Sequence, residues 1–211
     1  VVELSQFLPR LMPYVLGVSE PLAIQALRDS AIRFCTDSNV VSTTLDPLTT
    51  IVAVPTYELE APDAYTVVST VLKVWYDGKI IPSVPYDTAT GMYSTSPGAP
   101  RFFFGEMVDE VFSLTLMPTP DVTKANSLRV RVALKPTRTT TKVHDVLYDR
   151  YIEGIVNGAI SILCAVPDQP YTDFGRAAAA GVAARALTNR ARADTMHGNV
   201  QSSLSVQMRA F

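Results

Sequence analysis

Histidine, cysteine and tryptophan are scarce here, with two His, two Cys and one Trp in 211 residues. His144 and His197 are far apart in sequence, one before a predicted helix and the other ending one. Neither sits in a metal-ligand cluster, so structural or exposed roles suit them better than catalysis. Cys35 and Cys164 fall in apolar helical settings, which favours buried free thiols over a disulfide. A nucleophile elbow of the Gly-x-Ser-x-Gly type is missing. The one Gly-Lys pair, Gly78-Lys79, lacks the upstream glycines of a phosphate-binding loop. The expectation is therefore no enzyme, no metal and no cofactor.

Long apolar runs are missing too. With no continuous stretch of about 18 apolar residues, no membrane span is expected. The longest small-apolar run, 177–184, is bounded by Arg176 and Arg185. The start, Val1-Val2-Glu3-Leu4, has neither the charged region nor the apolar core of a signal peptide, and an initiator Met is expected to precede it. Charge of one sign is also lacking. A formal net charge of -2 argues against a polyanion binder working by electrostatics.

What is present is an order of parts. Helical patterns occupy both ends, and the middle, 40–143, is rich in Val, Thr, Tyr, Phe and Pro with apolar residues at period 2. A strand-rich block between helices that must pack on each other reads as a domain insertion. The fold class is α+β: a helical bundle from the N- and C-terminal helices, an inserted antiparallel β domain, and a C-terminal extended arm. The units are 1–39 and 144–197 for the bundle, 40–143 for the β domain and 198–211 for the arm.

In the front unit, Leu4, Phe7, Leu8, Leu11 and Met12 form a helical stripe interrupted by Pro9 and closed near Pro13. Ser19-Glu20-Pro21 supplies a capping hydroxyl, a first-turn acid and a proline where no N–H is needed. Ile24, Leu27, Ala31, Phe34 and Cys35 then share a face, and Asp37-Ser38-Asn39 ends the helix. In the β block, strands are expected at 50–54, 56–59, 65–76, 79–81, 101–104, 111–117 and 128–134. Asp77-Gly78 is a hairpin turn. Leu128, Val130, Val132 and Leu134 alternate against Arg129, Arg131 and Ala133, as in a half-buried antiparallel strand. A small sandwich and a rolled sheet both fit this spacing.

In the back unit a helix is expected over 145–165. Gly154 and Gly158 on one side imply a close approach by another helix, with the Ala-rich helix of 174–196 the nearby partner. His197-Gly198-Asn199 is a stop. The arm then alternates Leu204, Val206, Met208 and Ala210 against Ser205, Gln207, Arg209 and Phe211. Asp145, Asp149 and Glu153 read as an i, i+4, i+8 acidic stripe, which suits a solvated face at a helix N-terminus better than acid–base chemistry. Arg176, Arg185, Arg190 and Arg192 make the last helix basic. The two patches either pair or stay solvated within one subunit, or meet between subunits.

The sequence of parts resembles the head-to-tail adaptor proteins, or connectors, of tailed bacteriophages. The match is carried by the amphipathic second helix ending Phe34-Cys35 and by the hairpin Trp75-Tyr76-Asp77-Gly78. It continues through Met117-Pro118-Thr119-Pro120, the strand closing on Leu134-Lys135-Pro136, the helix from Leu147 to Ile155, and the turn through Val166, Pro167, Pro170 and Tyr171. The Ala-rich last helix departs from the bulkier family pattern.

The resemblance implies a structural virion protein at the head–tail junction, assembled in the host cytoplasm as a homo-oligomeric ring, a dodecamer. It would dock on the portal protein, join a tail or nozzle protein, and leave a channel through which DNA passes without specific binding. It implies no membrane partner. In this setting Leu204, Val206, Met208, Arg209 and Phe211 of the arm would bind the portal, unless the arm folds back on its own β domain. Asp145, Asp149, Glu153, Arg185 and Arg192 would form the subunit interface. The alternative is a β-domain binding module of a phage tail for carbohydrate or receptor. It would use Trp75, Tyr76, Tyr86 and Tyr93 as an aromatic platform, against a plain core role for Trp75.

Overall fold

The computed structural model describes residues 1–85, 97–108 and 111–196 of the chain. Strand β1 (Val2–Glu3) pairs antiparallel with β10 (Lys142–Val143), and the Leu4 N–H donates to the Thr141 carbonyl at 2.8 Å. The front of the chain is thereby tied to the segment that enters the back helices. These two short strands lack any alternation long enough to read from sequence.

The stripe from Leu4 to Met12 folds as three short turns: a 3₁₀ turn (Leu4–Phe7), α1 (Leu8–Leu11) and a second 3₁₀ turn (Met12–Tyr14). Pro9 and Pro13 each fall in the first turn of a new segment, where the missing N–H needs no partner. The stripe still buries one side, since Leu4, Phe7, Leu11 and Val15 are inaccessible.

Helix α2 (Glu20–Ser38) begins as expected but without its hydroxyl cap. Ser19 has the extended N-cap backbone, and its side chain makes no capping bond. Asn39 ends the helix in the left-handed conformation (φ 55), donating its N–H to the Cys35 carbonyl at 2.9 Å. Ala23, Leu27, Ala31, Phe34 and Cys35 are buried, whereas Ile24 is only half-buried.

The β block forms two antiparallel sheets. The larger has β9 (Lys124–Pro136) at its centre. On one side of β9 lie β2 (Ser42–Thr44) and β3 (Leu48–Thr50). On the other lie β5 (Thr66–Tyr76) and then β6 (Lys79–Ile81). The smaller sheet runs β4 (Thr56–Leu59), β8 (Val111–Met117), β7 (Phe102–Val108). A parallel bridge from Ser83 to Phe103 links the end of β6 to this second sheet. Leu128, Val130, Val132 and Leu134 are buried and Arg129 and Arg131 exposed, so the alternation in β9 is realised, although Ala133 is buried as well.

Other strands differ from expectation. In place of the strand expected at 50–54, β3 ends at Thr50, which is fully buried with its hydroxyl 2.7 Å from Ser127 Oγ. The chain then turns through Ala53 (φ 63). In β5, two register shifts, after Val68 and after Val71, interrupt the period-2 pattern. Thr66, Val68 and Val74 are buried, and Trp75, on the opposite side from Val74, lies outside the core, while its neighbour Tyr76 packs against it.

The helix expected over 145–165 is two helices, α3 (Asp145–Asp149) and α4 (Ile152–Cys164). The break lies between two anchored tyrosines. Tyr148 meets Phe7 edge-on at 5.1 Å between centroids, and Tyr151 meets Phe34 at 5.3 Å. Helix α5 (Phe174–Met196) follows.

The glycine pair in α4 accommodates mainly α2 rather than α5. A Cβ at Gly158 would lie 2.1 Å from Ser30 Oγ, and one at Gly154 would lie 2.8 Å from the Phe34 ring. The reason is a hydrogen bond: Ser30 Oγ donates to the Ile155 carbonyl at 2.7 Å, which requires bare backbone on that side of α4. Helix α5 approaches α4 elsewhere, with Gly181 set against Ser161 and Leu187 reaching Gly154. One buried cluster runs from Leu4 and Phe7 through α2 and α4 into Leu114, Leu128 and Leu134 of the sheets, so helices and strands share a core.

Candidate functional site

The charged residues singled out from sequence fall into two groups. Arg185 and Arg192 project from exposed positions of α5 beside the C-terminal end of α2. With Thr36, Asp37, Asn39 and Thr188 they border a pocket of about 410 Å³. Arg185 also borders an adjoining groove of about 290 Å³ between α2, α4 and α5, lined by Gly154, Gly158 and Gly181 among others. Neither arginine has a carboxylate within 4 Å among the described residues. The free carbonyls at the end of α2 give that region partial negative charge, which favours nearby cations.

Asp145, Asp149 and Glu153 are all exposed, but they do not form one helical stripe. Asp145 and Asp149 lie on α3 and Glu153 in the first turn of α4, beyond the break at Arg150–Tyr151. Asp145 neighbours the Val1 nitrogen, while Asp149 and Glu153 have no cation within 4 Å among the described residues. The structure does not bring the acidic and basic groups together within the chain. Asp37 and Asn39 read from sequence only as part of a helix end, and Thr188 not at all, because nothing local shows that the end of α2 meets α5.

The remaining candidates carry little chemistry. His144 precedes α3 with Nε2 3.8 Å from Asp63 Oδ2, and His197 lies outside the described residues. No group of three or more His, Cys, Asp or Glu able to hold a metal occurs among the described residues. Both cysteines are buried free thiols. Burial pushes Cys35 up to about 12 and raises Cys164 as well, so both are poor nucleophiles at neutral pH.

Trp75 is half-buried beside Arg129, its cross-strand neighbour, in a pocket of about 720 Å³. Trp75 and Tyr76 do not share a surface, since only Tyr76 packs on the core. Tyr86 and Tyr93 lie outside the described residues, as does the arm with Leu204, Val206, Met208, Arg209 and Phe211. No described helix is long and apolar enough to cross a membrane.

The chain matches the model of the SU10 adaptor protein family over residues 3–208, nearly its whole length, and belongs to that family. The resemblance to phage head-to-tail adaptors therefore holds, and the protein is a structural adaptor of the bacteriophage virion. No curated protein matches the chain.

Proposed function

We propose that the protein is the ring-forming adaptor that docks on the portal and joins the DNA-filled head to the tail. The family match carries this reading, because it spans both helical ends and the strand block between them. In it, helical segments 1–39 and 144–197 build the collar of a homo-oligomeric ring, a dodecamer, and the inserted block 40–143 faces outward or toward a tail or nozzle protein. Arg185 and Arg192 meet Asp145, Asp149 and Glu153 of the partner subunit. DNA passes through the central channel without specific binding, which the net charge of -2 supports, since a densely basic lining would retain phosphates. Assembly takes place in the host cytoplasm, and the product sits at the head–tail junction.

The arm, 198–211, is the portal anchor in this reading. A short terminal strand gains order by adding to a partner's sheet edge, with Leu204, Val206, Met208, Arg209 and Phe211 supplying specificity. Truncation after Asn199 tests it. The shortened protein is expected to keep its circular dichroism spectrum and to lose co-sedimentation with portals. Undiminished portal binding rules the arm out as the anchor, and loss of folding shows instead that it packs on its own chain.

A further inference from the structure

Helix α5 is apolar on two sides. Its inner side is used, with Ala177, Ala180 and Ala191 buried. Its outer side exposes Phe174, Val182 and Met196, at 63%, 65% and 71% of their full accessibility. Ala178 and Ala186, also exposed, complete a row with Phe174 and Val182 at four-residue spacing, which places them along one stripe. The rest of the helix surface carries exposed Arg176, Arg190 and Asp194, and an exposed apolar stripe rimmed by charge marks a contact surface. The charges indicate what covers this one. Arg185 and Arg192, seven apart and so on one side of the helix, border the stripe without a carboxylate within 4 Å among the described residues. Asp149 and Glu153 are equally without a cation within 4 Å among the described residues, although α4, which carries Glu153, borders the groove that Arg185 also lines. The arginines and these carboxylates form no pair within the chain, and opposite charges left unpaired in this way suit a head-to-tail contact between copies.

We propose that the outer face of α5, centred on Val182, is the apolar centre of the contact with a second copy of this chain, and that the arginine–carboxylate pairs form only its rim. This rests on the ring reading and adds to it the surface that supplies most of the affinity. Small residues between Phe174 and Val182 let a neighbouring element approach the helix backbone closely, and burial of a branched side chain outweighs exposed ion pairs.

The test is sedimentation velocity over a concentration series, at low and high salt, on the full chain and three variants. Val182→Asp and Phe174→Ser are expected to weaken self-association at both salt concentrations, Val182→Asp by about 30-fold or more. Their thermal unfolding should be unchanged, because both side chains are exposed. The double variant Arg185→Ala/Arg192→Ala should weaken association at low salt only, where its charges are unscreened. Loss of association in that double variant, with Val182→Asp and Phe174→Ser unaffected, overturns the apolar centre and leaves the ring reading standing. A wild-type chain that remains monomeric at every concentration overturns the proposal, and the ring reading is then tested separately by assembly on portals.

Discussion

At the scale of single residues, the tightest constraint is Gly158. A Cβ there would sit 2.1 Å from Ser30 Oγ and 3.1 Å from Ser30 Cβ. In an open helix, glycine to alanine stabilises by roughly 0.5–1 kcal/mol. Here the sign reverses, because α2 and α4 would have to separate or Ser30 would have to leave the Ile155 carbonyl. Gly158→Ala is expected to destabilise by about 1–3 kcal/mol. Ser30→Ala alone removes the 2.7 Å hydrogen bond, a loss of about 1 kcal/mol. The double variant should lose less than the sum, since removing the hydroxyl relieves the worst overlap. Urea denaturation of the four proteins measures this coupling. A stabilising Gly158→Ala, or strict additivity, would contradict the packing described.

At the scale of elements, helix α5 is started by a residue that the sequence reading passed over. Asp173 Oδ1 accepts the Arg176 backbone N–H at 2.9 Å, which is a capping bond. Asp173→Ala should cost about 0.5–2 kcal/mol by urea denaturation, and Asp173→Asn much less, because the amide oxygen can accept the same bond. Equal losses in both variants would show that charge matters more than the cap. The Arg176 side chain adds little through its exposed 3.5 Å contact with the same carboxylate.

The signal at Asp173 was legible, an Asp just before a helical run. Strand β9 and the Asp77-Gly78 hairpin were legible for similar reasons, since each carries its full pattern locally. Elements fixed by distant partners were not. The strand β2 (Ser42–Thr44) is polar and exists because it pairs with β9. The split between α3 and α4 is set by Phe7 and Phe34, which hold the tyrosines on either side of it. The candidate site was legible as residue types, Arg185 and Arg192 among them. Its setting was not, because the meeting of the α2 terminus with α5 leaves no trace in local pattern.

At the scale of the whole molecule, the question is whether the strand block folds as a unit of its own. It is inserted in sequence, with helices before and after it. Most of its buried residues nevertheless belong to the same cluster as those of the helices, running from Leu27 and Phe34 to Leu128 and Leu134, while Phe104 and Met117 form a small cluster of their own. Strand β9 also connects directly, through β10, to the N-terminal β1. Loss of the helices would therefore uncover one side of the central strand, and loss of the strands would uncover α2. A shared core favours a single cooperative transition over two. The single tryptophan, Trp75, lies in β5 and reports the sheet, while ellipticity at helical wavelengths reports α2, α4 and α5. The two signals are expected to change together in urea, with the same midpoint and slope. To keep the comparison within one molecule, it should be made at concentrations where the chain is monomeric, since association adds stability by mass action. If the tryptophan signal persists after the helical signal is lost, or the reverse, the strand block is an independent folding unit and the continuity of the core contributes little to cooperativity.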